Sequence, residues 1–149
     1  MKKQLKCIMM VDDNPHDNYF HEREIRKATS GKITIITEQT ADEALEYLKL
    51  DQDDSLHPDL IFLDIKMPGM DGWGFLDEYG KLNKEQKSKA IIMMLTTSEN
   101  QKEVTRANAN TSVSDFITKP LTRAKMIEIN DKYFTPFSNN PQDLIDILK

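Results

Sequence analysis

Five short apolar runs recur along this chain, at residues 5–11, 33–37, 60–64, 91–95 and 115–118, and between them lie longer stretches of helical period. Nearly continuous apolar runs of this length suit strands buried on both faces, and their alternation with helices predicts a parallel sheet with helices on each side. The clearest helix spans 41–50, with Ala41, Ala44, Leu45 and Leu48 on one face and acids on the other. Thr40 and Glu43 make a capping box for it, and Ser98 with Gln101 offers the same device for a fourth helix. That fourth helix is polar apart from Val104, Ala107 and Ala109. A further helix from Leu121 carries Met126, Ile129 and Tyr133 toward the sheet. Five such units describe an α/β fold with a doubly wound five-stranded parallel sheet.

The 149 residues fit one domain, read as 1–135, with 136–149 as a C-terminal extension. Asn140 as N-cap and Pro141 as first helical residue open a short helix over 142–148 in that extension. Cys7 is the single cysteine, expected as a small buried hydrophobe in a reducing compartment. The apolar stretch after Lys2-Lys3 is short and ends in Asp12-Asp13, which argues against a signal peptide, and no run reaches membrane-spanning length. A cytoplasmic protein is expected. A net charge of −5, with acids and bases interspersed, argues against a nucleic-acid groove.

The chemistry is concentrated at strand ends. Asp12-Asp13 follow the first run, Asp64 closes the third, Thr96 follows the fourth and Lys119 the fifth. In an open α/β sheet, ligands bind outside the carboxyl ends of strands where the strand order reverses. With the order 2-1-3-4-5 that point lies between strands one and three, so the three carboxylates converge. Crowded acids repel unless a hard cation joins them, and Mg²⁺ takes such oxygen ligands. Zinc is disfavoured, since no histidine or cysteine lies nearby in sequence. A carboxylate can also act as nucleophile and form an aspartyl phosphate. Phosphoryl transfer then needs charge neutralisation, which Thr96 and Lys119 supply.

Val11-Asp12-Asp13-Asn14-Pro15, the segment from Leu63-Asp64 through Met67-Pro68-Gly69 to Asp71-Gly72, Leu95-Thr96-Thr97-Ser98, and Phe116-Ile117-Thr118-Lys119-Pro120 together resemble the receiver domain of two-component response regulators. The resemblance covers about 5–133 and implies a flavodoxin-like fold. It implies that Asp64 accepts a phosphoryl group from a histidine kinase or phosphotransfer protein. It assigns Mg²⁺ to Asp13, Asp64 and the Lys66 backbone carbonyl, with Asp12 acting through water. It gives Thr96 and Lys119 the phosphoryl oxygens, makes Thr96 and Phe116 a switch, and makes Lys119-Pro120 a cis peptide. Lys66, Thr97 and Ser98 fall where this family modulates phosphoryl lifetime. The implied function is a stand-alone receiver that switches the face of its fourth helix, fifth strand and fifth helix for an unknown protein target. It catalyses only its own phosphorylation and dephosphorylation.

Two other functional classes fit the residues less well. A Mg²⁺-dependent phosphohydrolase of the dehalogenase type would carry Asp-x-Asp after strand one; here the pair is Asp12-Asp13 and the best nucleophile follows strand three. A flavin-binding protein would need a Ser/Thr/Gly phosphate cradle that 12–17 lacks. His16, His21 and His57 are read as surface or partly buried structural residues and Phe75 as core. Trp73 is assigned to neither core nor surface, an exposed tryptophan there being able to meet a kinase, and 133–137 is an apolar tail that packs back on the domain or meets a partner or second copy.

Overall fold

In the computed structural model, residues 2–29, 32–50, 53, 56–87, 90–97 and 100–136 are described. Among them the element order is β1 (Cys7–Val11), α1 (Pro15–Thr29), β2 (Thr34–Glu38), α2 (Ala41–Lys49), β3 (Leu60–Leu63), α3 (Gly72–Gly80), α4 (Lys84–Lys87), β4 (Ile91–Thr96), α5 (Gln101–Ala109), β5 (Val113–Thr118) and α6 (Arg123–Tyr133). All strand pairs are parallel, in the order β2-β1-β3-β4-β5. The doubly wound α/β sheet expected from the apolar runs is the fold observed. The helix expected over 142–148 lies outside the described residues.

The strands divide their side chains between two cores. Met9, Val11, Ile61, Leu63, Ile92 and Met94 pack against Ala44, Leu48, Phe75, Leu76 and Ala107 of α2, α3 and α5. Their neighbours in sequence, Ile8, Met10, Leu60, Phe62, Met93 and Leu95, pack against Ile25, Ala28, Met126 and Ile129 of α1 and α6. Successive strand residues point to opposite faces, so a sheet covered on both sides needs apolar residues without interruption. Burying one such side chain stabilises the fold by about 1.5–3 kcal/mol. No helix among the described residues is long and apolar enough to cross a membrane.

Local chemistry sets the boundaries, and several differ from expectation. β1 begins at Cys7 because the Asp59 carboxylate takes the Lys6 and Cys7 N–H groups (2.9 and 3.1 Å) in place of a ladder partner. β5 begins two residues early, since a register shift lets Val113 pair with Ile92 before Asp115 pairs with Met93. Thr40 caps α2 as expected, accepting from the Glu43 N–H. The cap of α5 is Asn100, which accepts from the Lys102 N–H at 2.8 Å; Ser98, the expected cap, lies outside the described residues. Thr122 caps α6, leaving Leu121 buried just before it. Phe134 closes the apolar tail inside the α1/α6 core, while Phe137 lies outside the described residues.

Candidate functional site

The sheet presents its ligand end where β1 pairs with β2 on one side and β3 on the other. Hydrogen bonding runs one residue past the strands: the Asp12 N–H donates to the Glu38 carbonyl at 3.1 Å and the Asp64 N–H to the Val11 carbonyl at 3.0 Å. These bonds set Asp12 and Asp64 at adjacent strand tips. Carboxylate oxygens of Asp12, Asp13 and Asp64 all lie within 4.8 Å of one another. Asp13 is exposed; Asp12 and Asp64 are buried. At β4 and β5, the Lys119 N–H donates to the Thr96 carbonyl at 2.8 Å, bringing both residues to the same end. The Lys119-Pro120 peptide is cis, as the resemblance implied.

The Lys119 ammonium reaches three carboxylates: Asp12 Oδ2 at 2.6 Å, Asp17 Oδ2 at 2.8 Å and Asp64 Oδ2 at 3.5 Å. Burial alone would lower its pKa, but the hydrogen bonds to Asp12 and Asp17 and the charges on Asp12 and Asp64 hold it above the ordinary lysine value. Asp64 moves the other way from a usual salt-bridged acid. Burial pushes its pKa up and the Asp12 charge adds to this; Lys119, the Ile65 N–H and the Thr96 hydroxyl pull it back only in part. Two buried acids beside one cation leave an excess of negative charge. An oxygen-only donor set with such an excess suits a hard divalent cation and offers little to a soft one.

The segment after β3 shapes the approach. Ile65 and Met67 are buried as pegs while Lys66 points to solvent. Gly69 turns the chain at φ 74°. Asp71 caps α3 through the Gly74 N–H at 2.8 Å. Gly72 then lies so close to the phosphoacceptor candidate that a Cβ there would sit 2.5 Å from the Asp64 carbonyl oxygen. Thr97 is exposed beside Thr96, and Ser98 lies outside the described residues. Phe116 is half-buried on β5, paired with Met94 and packed against the α2/α3/α5 core.

Helix α1 contributes more than its sequence announced. Asn14 caps it, accepting from the His16 and Asp17 N–H groups (2.9 and 3.2 Å), with Pro15 in the first helical position. Asn18 donates to the Asp12 carbonyl at 2.8 Å and fixes the β1–α1 loop. His21, read from sequence as a surface or partly buried residue, is buried behind Asp12 and lines a small void with Asn18, Asp12 and Asp64. Burial first, then the Lys119 charge, lowers its pKa against the opposing pull of Asp17, Asp12 and Glu24. An acid in the first turn of a helix ordinarily complements the helix dipole, so nothing local marked Asp17 as a partner of a lysine 102 residues away.

Trp73, which the sequence left open between core and surface, is buried at 5% exposure; its indole N–H donates to Glu103 at 3.0 Å and the Arg106 guanidinium stacks 4.3 Å from the ring centroid. Both partners belong to α5, which buries only Ala107 of its own. The tryptophan is covered because the polar α5 lies across it.

The model of the response regulator receiver domain matches residues 8–131 of the chain. The chain belongs to the response regulator receiver family. This receiver is 32% identical over 134 residues to the two-component response regulator ARR22 of Arabidopsis thaliana, covering 90% of this chain and 87% of that protein. It is 30% identical over 131 residues to hybrid signal transduction histidine kinase L of Dictyostelium discoideum, covering 88% of this chain but 7% of that protein. Among solved structures, a two-component response regulator from Cytophaga hutchinsonii superposes with a TM-score of 0.74 at 23% identity, covering 88% of this chain and 98% of that one, a likeness of fold. The bacteriophytochrome response regulator AtBRR superposes at 0.70 with 25% identity, covering 92% of this chain and 99% of that one. The receiver is therefore a signalling domain of two-component type.

Proposed function

We propose that Asp64 of this receiver takes a phosphoryl group from a histidine kinase or phosphotransfer protein. The observation that carries this reading is the convergence of Asp12, Asp13 and Asp64 within 4.8 Å of one another, with the Lys119 ammonium 2.6 Å from Asp12 and 3.5 Å from Asp64. The phosphoryl O–P bond forms at the Asp64 carboxylate as the donor's P–N bond breaks, and the leaving nitrogen takes up a proton. Lys119 and Thr96, already bonded to Asp64, are placed to take the equatorial oxygens. Asp12, Asp13, Asp64 and the Lys66 backbone carbonyl would hold Mg²⁺. Bound there, the cation would neutralise the charge that builds on the transferring group.

The readout is a change of shape. A doubly charged group on Asp64 draws the Thr96 hydroxyl inward, and the half-buried Phe116 ring fills the space it leaves. The expected fourth helix, fifth strand and fifth helix are α5, β5 and α6 of the structure. α5 suits a movable element because its hold on the rest of the domain rests on Ala107 and the Trp73 clasp. The exposed Lys66 and Thr97 flank the site and set how quickly water reaches the phosphoryl group; Ser98 is assigned the same part. Occurrence of a similar segment within a named hybrid histidine kinase supports a kinase as partner. We place the protein in the cytoplasm, with a protein target and no nucleic acid.

The hydrolase reading is less well supported, since Asp12 already carries the bonds of Lys119 and the Asn14 N–H and is poorly free to attack. Turnover separates the two. With Mg²⁺ and excess phosphoramidate, a receiver shows one phosphoryl group per molecule, and phosphate is released no faster than that adduct decays. With a chelator the uptake stops. Rapid continuous phosphate release with no lasting adduct would reject the receiver mechanism in favour of a hydrolase.

A further inference from the structure

A protonated lysine has three N–H donors and no acceptor. Lys119 gives two of them to short contacts, Asp12 at 2.6 Å and Asp17 at 2.8 Å, and stands 3.5 Å from Asp64. The ammonium thus makes its two short contacts with Asp12 and Asp17 and only a longer one with the carboxylate proposed to receive phosphate. Asp12 and Asp64 are fixed at strand tips with side chains 6% and 10% exposed, whereas Asp17, on the first helical turn, is 36% exposed. Of the three acids, Asp17 alone can be returned to water at little cost.

We propose that Asp17 is a positioning residue that holds the Lys119 ammonium in its resting place and competes with a phosphoryl group on Asp64 for it. The inference rests on the reading of Asp64 as phosphoacceptor. Phosphorylation replaces the single charge of the Asp64 carboxylate with a phosphoryl group that carries nearly two negative charges. The ammonium must then be shared between those oxygens and Asp17, so part of the Lys119–Asp17 attraction present in the resting protein is lost on phosphorylation. Asp17 therefore favours the unphosphorylated form. It gives the receiver a built-in bias toward its off state, set by a side chain outside the strand-tip cluster.

Beryllofluoride, which adds to an aspartate carboxylate as a phosphoryl analogue, reads this bias at equilibrium. In Mg²⁺, fluorine NMR titration of Asp17→Asn is expected to show binding about two- to fivefold tighter than wild type, the worth of one partly exposed ion pair. Asp17→Glu, which keeps the charge, is expected to return toward wild type. High salt screens general attraction of an anion but not a 2.8 Å contact, so the gain persists there. Damage to the fold would weaken binding, never tighten it; Asp17→Ser gives the same reading should the asparagine variant fold poorly. Unchanged or weaker binding in the neutral variants, or a gain that vanishes in high salt, overturns the inference. Failure of the wild type to bind at all would instead overturn the reading of Asp64, and this inference with it.

Discussion

Lys119→Met is expected to cost the metal-free protein about 3–5 kcal/mol of stability, the usual penalty for removing one partner of a buried ion cluster. The lysine side chain is 8% exposed and is bonded to Asp12 and Asp17 with Asp64 close by, so its loss leaves Asp12 and Asp64 buried together without a counter-charge. Two unit charges about 5 Å apart repel by roughly 3 kcal/mol at an effective dielectric of 20. The loss depends on pH in a defined direction. Asp64 already has a folded pKa above its ordinary value, and removing Lys119 takes away a lowering influence. A group with a raised folded pKa favours the fold fully when pH lies below its unfolded pKa, and that contribution disappears as pH rises through the folded pKa. Lowering pH from neutral should therefore return stability to Lys119→Met and narrow its gap from wild type. Added Mg²⁺ should narrow the gap too, by binding the folded state alone. Denaturant midpoints at neutral and mildly acidic pH, with chelator and with Mg²⁺, measure both effects. A deficit independent of pH and Mg²⁺ would show that the lysine only packs.

Gly72→Ala should damage uptake strongly at a smaller cost in stability, for a reason unrelated to charge. The new Cβ would lie 2.5 Å from the Asp64 carbonyl oxygen and 3.0 Å from the Ile65 Cα, both main-chain atoms that cannot swing aside. Alanine gains about 0.5–1 kcal/mol over glycine within a helix, but forcing α3 off the β3 loop costs about 1–3 kcal/mol and displaces Asp64. Phosphoryl uptake is expected to fall about 10- to 100-fold, since misplacing a reacting group by an ångström is that costly. Gly80→Ala is the control: nothing lies within 4 Å of a Cβ there, so it should be neutral or stabilising. Equal uptake rates in the Gly72 and Gly80 variants would contradict the close approach.

The sequence made the sheet legible because strands buried on both faces need unbroken apolar runs, and those runs end in the residues that act. Asp12, Asp13, Asp64, Thr96 and Lys119 could be placed at one end of the sheet from the order of the runs alone, and Thr40 as the cap of α2. What escaped depended on contacts between distant elements. Asp17 resembles any acid in a first helical turn, and only the path of β5 brings Lys119 to it. His21 resembles a surface histidine until α1 is laid over the β1 and β3 tips. Trp73 follows Gly72 at the start of the third helix, where sequence alone does not say whether it is covered; its cover comes from Glu103 and Arg106, thirty and more residues away. The early start of β5 needed a register shift that no composition signals.

Whether the converging strand tips make one aspartate receptive to phosphate is settled most directly by intact-mass measurement of wild type and Asp64→Ala after exposure to Mg²⁺ and phosphoramidate. The account predicts a single phosphoryl increment on the wild type and none on the variant. An increment of equal size on Asp64→Ala would place the chemistry elsewhere and contradict it.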